Sequence, residues 1–182
     1  MVSTPRVERR LAAIMAADIV GYTRLMEVDE ARTLAGIKAL RSNVMDPIIA
    51  DHGGRIVKLM GDGMIVEFGS VVDAVACAVA IQEAAVASRE QVPPERQIVL
   101  RMGITVGDVV VEGDDLLGDG VNIAARLEGI AEPGGICITD AAHGQLAGKL
   151  DATFEDAGER KLKNISQPVR VWRSVGSKTR HR

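Results

Sequence analysis

The stretch RIVKLMGDGMIVEF, residues 55–68, constrains this chain more than any other. Arg55 to Met60 and Met64 to Phe68 are short and rich in Ile and Val, as strands are, and Gly61-Asp62-Gly63 between them is a strong hairpin signal. A carboxylate is thereby set at a hairpin tip. The glycines beside it admit positive φ and leave room for a ligand, so a metal or phosphate site is served as well as a turn. A second stretch raises the same question. Ala12 to Thr23, AAIMAADIVGYT, is an apolar, strand-like run broken by Asp18 and closed by Gly21. Burying a lone carboxylate is costly, so Asp18 requires a partner, either a salt bridge or a metal. Two carboxylates on neighbouring strand ends, each near glycine, suit hard cations such as Mg2+ or Mn2+.

The rest of the chain supplies a frame for these two acids. Leu34, Ile37, Leu40, Val44 and Ile48 recur at spacings of three and four, which predicts a helical region from Tyr22 to about Asp51 with a break near Val28-Asp29. His52-Gly53-Gly54 ends it, with His52 as a cap. Ser70 caps a helix from Val71 to about Glu90, whose apolar side is marked by Val72, Val75, Val79 and Ile81 to Val86. Beyond Val92-Pro93-Pro94-Glu95, strands from Ile98 to Thr105 and Asp108 to Val111 read as a second hairpin around Val106-Gly107. Strands Gly135 to Thr139, Thr153 to Asp156 and Val169 to Arg173 follow, and His143 sits on a short helical stretch with a structural role. The order predicts an α+β fold with a ferredoxin-like βαββαβ core, helices on one side of an antiparallel sheet, and additional C-terminal strands.

Composition bounds the function. The chain of 182 residues is the size of one domain, and its net charge of −3 with interspersed signs and 2% aromatic content argue against a nucleic-acid surface. With no run of about eighteen apolar residues and a charged start, MVSTPRVERRLAA, the expectation is a cytoplasmic chain with no membrane contact from this segment. Cys77 and Cys137 lack metal-ligand spacing and read as buried thiols with no disulfide. Residues 1–9 read as an N-terminal extension, 10–175 as the domain, and 176–182, GSKTRHR, as a linker or tail.

The third informative segment is EGDDLLGDGVNIAARLE, residues 112–128, a polar glycine-rich loop running into a helix that begins near Gly120. Asn122 and Arg126 are four residues apart and share a helical face. An amide beside a guanidinium suits the ribose and phosphate of a nucleotide.

Together, ADIVGYT, KLMGDG and DLLGDGVNIAARLE resemble the three motifs of the class III nucleotidyl cyclase catalytic domain, specifically of bacterial adenylate cyclases, over about Arg10 to Trp172. The resemblance implies two divalent cations held by Asp18, the carbonyl of Ile19 and Asp62. It implies that Lys58 and Asp115 read the base, that Asn122 orients the ribose, and that Arg126 stabilises the phosphate in the transition state. ATP would close on itself to 3′,5′-cyclic AMP and pyrophosphate. Lys58 donating to adenine N1 and Asp115 accepting from its amino group favour ATP over GTP. A homodimer is implied, head to tail, with Asp18 and Asp62 from one subunit meeting Asn122, Arg126, Lys58 and Asp115 of the other at two equivalent sites. Lys163 in RKLKNISQPVRVW is the candidate for the basic residue that reaches the triphosphate. The sequence departs from the family's usual pattern at Leu59-Met60 and Leu117, beside the base pocket. Further regulatory domains in a longer chain fit the family. Two alternatives remain: a guanylate cyclase or one of relaxed base choice, and a non-catalytic nucleotide-binding or dimerisation module.

Overall fold

The computed structural model describes residues 8–175. Strand β1 (Glu8–Ile19) is followed by α1 (Tyr22–Val28), α2 (Glu30–Leu40), a π-helical turn (Arg41–Met45) and α3 (Asp46–Asp51). Next come β2 (Arg55–Met60), β3 (Gly63–Phe68), α4 (Val71–Arg89), β4 (Leu100–Glu112), β5 (Asp115–Leu117) and α5 (Asp119–Ile130). The chain ends in β6 (Ile136–Thr139), α6 (Asp140–Gly144), β7 (Phe154–Arg160) and β8 (Val169–Ser174). Glu8 and Arg9, expected in the N-terminal extension, belong to β1; residues 1–7 and the tail from 176 lie outside the described residues.

The sheet order is β2-β3-β1-β4-β6-β8-β7, with β5 paired to β4. Its first four members reproduce the split βαβ order, so the expected ferredoxin-like core is present, and β6, β8 and β7 extend it. β1 and β4 form its spine, with register from Glu8 opposite Val111 to Ile19 opposite Leu100. Alternation along β1 divides the core. Ala13, Met15, Ala17 and Ile19 face a layer built from α1 to α4, while Ala12, Ile14 and Ala16 face α5.

Three expectations are corrected here. Helices cover both faces: α5 packs opposite α1–α4, because apolar periodicity gives a helix a buried stripe without saying which side of a sheet receives it. Val106-Gly107 is not a turn. Gly107 pairs with Ala12 inside the continuous strand β4, held extended by β1 alongside, and the chain reverses instead at Gly113-Asp114, where Gly113 takes φ 61°. Finally, α4 has an 18-residue window of mean hydropathy 1.6, long and apolar enough by composition to span a membrane. Its Val71, Ala74, Val75, Ala78, Ile81 and Ala85 are instead packed in the core. Val86 is exposed rather than part of that side, as is Leu34 on α2.

Other local expectations hold. The Ser70 hydroxyl accepts from the Asp73 amide at 3.1 Å, and His52 Nδ1 lies 2.7 Å from the Ile48 carbonyl at the end of α3. Cys77 and Cys137 are free and buried. His143 stacks on Trp172, with centroids 3.6 Å apart, and Trp172 Nε1 donates to Asp140 at 2.9 Å.

Two contacts fix the layers. Gly103 on β4 lies so near α5 that a β-carbon there would fall under 3.0 Å from the Ala124 carbonyl and the Glu128 amide. On β3, buried Glu67 accepts from Arg10 Nη2 at 2.7 Å and from Arg55 Nη2 at 3.0 Å, tying β1, β2 and β3 together. Burial alone would raise the Glu67 pKa, but the hydrogen bonds from Arg10 and Arg55 outweigh it and hold the carboxyl below the usual carboxylate range.

Gly103→Ala should destabilise the domain by about 1–3 kcal/mol in urea unfolding, since backbone must move to admit the methyl group. A depressed carboxyl pKa contributes stability that is present above the unfolded value and lost as pH falls through the folded one. Glu67→Gln should therefore lower stability by about 1–3 kcal/mol at pH 7, with the gap closing in acid below pH ~4.

Candidate active site

The candidate metal end of the site is assembled where the β2–β3 turn meets the end of β1. Asp18 pairs in register with Gly63, and the Ile19 amide donates to the Asp62 backbone carbonyl at 3.0 Å. The hairpin tip is thus pinned beside Asp18. Gly63 is needed there for space: a β-carbon would sit 3.0 Å from the Ala17 carbonyl oxygen. Gly61, with φ 27°, supplies the left-handed bend. Burial raises the Asp62 pKa, and the hydrogen bond and charge of Asp18 raise it further.

Two residues not anticipated from sequence stand at this end. Arg101 on β4 places Nη2 4.0 Å from Asp18 and donates from Nη1 to the Gly129 carbonyl at 3.3 Å, while its buried Nε has no partner. Glu128, in the last turn of α5, is half-buried. Burial, a shared hydrogen bond with Asp18 and the charge of Asp18 push its pKa up to about 8, against the opposing influence of Arg101. A charged Arg inside the apolar run LRMGIT carried the same signal as Asp18 and could have found Arg101. Glu128 had no comparable signal, since an acid near a helix end usually reads as solvated.

The donor set fits a divalent cation. Two carboxylates crowd each other with excess negative charge, and hard oxygen ligands are what Mg2+ and Mn2+ take. Among the described residues no group of three or more His, Cys, Asp or Glu side chains is arranged to enclose a metal. The arrangement therefore suits a cation completed by backbone carbonyl, water or phosphate oxygen.

A separate cleft of about 200 Å3 is lined by Lys58, Asp115 and Asn122 with Val57, Ile65 and Leu117. A register shift between Ile56 and Lys58 bulges β2, and both Val57 and Lys58 line this cleft. Leu59, on the other side of the strand, lines a different cavity of about 70 Å3 together with Asp62. Asp115 reaches the cleft because β5 folds back along β4, and its Oδ1 accepts from the Leu116 amide at 2.9 Å. Asn122 and Arg126 are exposed one turn apart on α5, and Lys163 is exposed between β7 and β8. One chain thus brings Asp18 to Asp62, and Lys58 to Asp115 and Asn122, without joining the two groups in one cavity.

Residues 7–173 match the family described as the adenylate and guanylate cyclase catalytic domain. The chain belongs to that family, the class III nucleotidyl cyclases. It is 50% identical over 166 residues to "Putative adenylate cyclase 3" of Rhizobium meliloti (strain 1021), covering 91% of this chain but 28% of that protein. Among solved structures it is similar to an adenylate/guanylate cyclase/hydrolase from Silicibacter pomeroyi, with 46% identity, a TM-score of 0.88, and 93% and 99% of the two chains covered. It is also similar to the adenylyl cyclase CyaB from P. aeruginosa, with 26% identity, a TM-score of 0.81, and 96% and 98% covered.

Gly63→Ala should weaken Mn2+ binding to the nucleotide-free protein by roughly tenfold or more in a calorimetric titration, because the methyl group pushes the tip from Asp18. An unchanged affinity would mean that the pinned tip does not build the metal end.

Proposed function

We propose that this chain is an adenylate cyclase, converting ATP to 3′,5′-cyclic AMP and pyrophosphate at sites shared between two subunits of a homodimer. The observation that carries the shared site is the separation of Asp62, in the small cavity at the hairpin tip, from Lys58, Asp115 and Asn122, in a base-side cleft of about 200 Å3 that is smaller than the ~300–1,000 Å3 usual for a ligand pocket. A second copy would supply the missing wall. Exposed apolar side chains beside the site, Leu59 at 50% and Leu117 at 43%, suit coverage by such a partner.

In this reading Lys58 donates to adenine N1 and Asp115 accepts from the exocyclic amine, so guanine would leave both unpaired. Asn122 holds the ribose so that its 3′-oxygen lies in line with the α-phosphorus. That oxygen bonds to phosphorus, the bond from phosphorus to the bridging oxygen breaks, pyrophosphate departs with the electron pair, and the hydroxyl proton passes to water. Arg126 offsets the charge that grows on the α-phosphate. Arg101, close to Asp18, and the exposed Lys163 are the basic residues that this reading assigns to triphosphate oxygens. Two divalent cations, Mg2+ or Mn2+, held by Asp18, Asp62 and the Ile19 carbonyl, would acidify the hydroxyl and neutralise the triphosphate. ATP supply places the reaction in the cytoplasm. The much greater length of the Rhizobium relative supports further regulatory domains in a longer chain.

The test is complementation. Asp62→Ala and Asn122→Ala should each reduce cyclic AMP formation with Mn2+ by about 100-fold or more. Mixed in equal amounts, they should recover about a quarter of wild-type activity, because half of the dimers then hold one intact site of two. No recovery at concentrations where dimers form would sink the shared site. Cyclic GMP from GTP as main product would overturn the base assignment, and no product from either nucleotide would favour a binding module.

A further inference from the structure

A cleft of about 520 Å3 opens between α2 and the connection from α4 to β4, and it includes none of the residues assigned above to the metal, the base, the ribose or the phosphate. We propose that it is a binding site for an amphiphilic organic carboxylate, with the apolar body against Leu25, Leu40 and Ile98 and the carboxylate on Arg89.

The volume lies within the range of small-molecule pockets. Its width comes from the small side chains that α2 turns towards it, Gly36 and Ala39. Gly36 also admits Ile98 to the floor, since a β-carbon there would meet the Ile98 Cδ1 at 2.8 Å. A glycine inside a helix costs roughly 1 kcal/mol relative to alanine, so the close approach is bought at a cost to α2 itself. The cleft is also lined by Asn43 and Val44 from the π-helical turn, a geometry rare in proteins and concentrated at functional sites.

The charge at the rim is what selects the ligand. Arg89 is partly buried, and Nη1 donates to the Ile98 carbonyl at 3.3 Å. No carboxylate lies within 4.0 Å of it among the described residues. Burial holds its pKa below the ordinary guanidinium value, yet the group remains charged, with further N–H donors to offer. The other charged groups of the cleft are Asp29, Arg32, Glu95 and Arg96. Asp29 is committed to α2, accepting from the Arg32 amide at 3.0 Å with the Arg32 guanidinium 3.7 Å away. Arg89 and Arg96 then face a single acid, Glu95, and the uncommitted charge is positive. Apolar walls with an excess guanidinium among them match a chain or ring bearing one carboxylate. Leu40 also lines the small cavity behind the hairpin tip with Arg41 and Asp62, so an occupant would press on the structure that carries the metal end.

The test uses the full chain in isothermal titration with decanoate, decanol and acetate, and is independent of any cyclase activity. Decanoate should bind with one site per chain, and decanol and acetate at least about tenfold more weakly. Arg89→Met should remove the preference for decanoate over decanol. Ala39→Trp, at an exposed position on the rim, should abolish binding by filling the cleft, and it serves on its own if Arg89→Met proves unfolded by circular dichroism. Equal affinity for decanoate and decanol would overturn the proposal in favour of a plain apolar groove for a protein segment. Decanoate binding that survives both substitutions, or none below its micelle threshold, would overturn it outright.

Discussion

One backbone hydrogen bond, from the Ile19 amide to the Asp62 carbonyl at 3.0 Å, joins the end of the central strand to the tip of the edge hairpin. It draws together two carboxylates that would otherwise repel each other, and the glycine at position 63 makes the approach sterically possible. The repulsion persists in the pKa values of Asp62 and the neighbouring Glu128, both raised by burial and by Asp18. A fold that holds acids so close spends stability on a site, which is the usual mark of ligand-directed geometry.

The supporting architecture keeps that geometry stiff. β1 and β4 run together over the full length of β1, and α5 docks onto β4 at Gly103. Asn122 lies near the start of α5 and Glu128 in its last turn, about 9 Å apart along the helix axis. A single rigid rod therefore carries residues toward the cleft of Lys58 and Asp115 and toward Asp18. The Glu67 cluster performs the same service for the hairpin, tying β1, β2 and β3 through one acid.

Much of this was legible in the sequence where the information is local. The β2–β3 hairpin, the Ser70 cap, the break at Val28-Asp29 and the acid in β1 are each set by a few adjacent residues, and each is present. What the sequence left hidden depends on distant neighbours. Gly107 reads as a turn until β1 is laid beside it, three-residue β5 is too short to show a pattern, and the bulge beside Lys58 exists only against β3. The side of the sheet that α5 covers was likewise undetermined, since a buried stripe has no address. The six candidate residues were readable as motifs, but the separation of Asp62 from Lys58, Asp115 and Asn122 into different cavities of one chain is a property of the folded surface.

That separation has a thermodynamic consequence. If a nucleotide is held fully only where two copies meet, the ligand and the second subunit are linked, and each raises the other's affinity by the same factor. The nucleotide then acts as a crosslink between subunits, and its apparent dissociation constant falls as protein concentration rises. Any segment of a longer chain that held two such domains at a high local concentration would prime them for the nucleotide without touching the site.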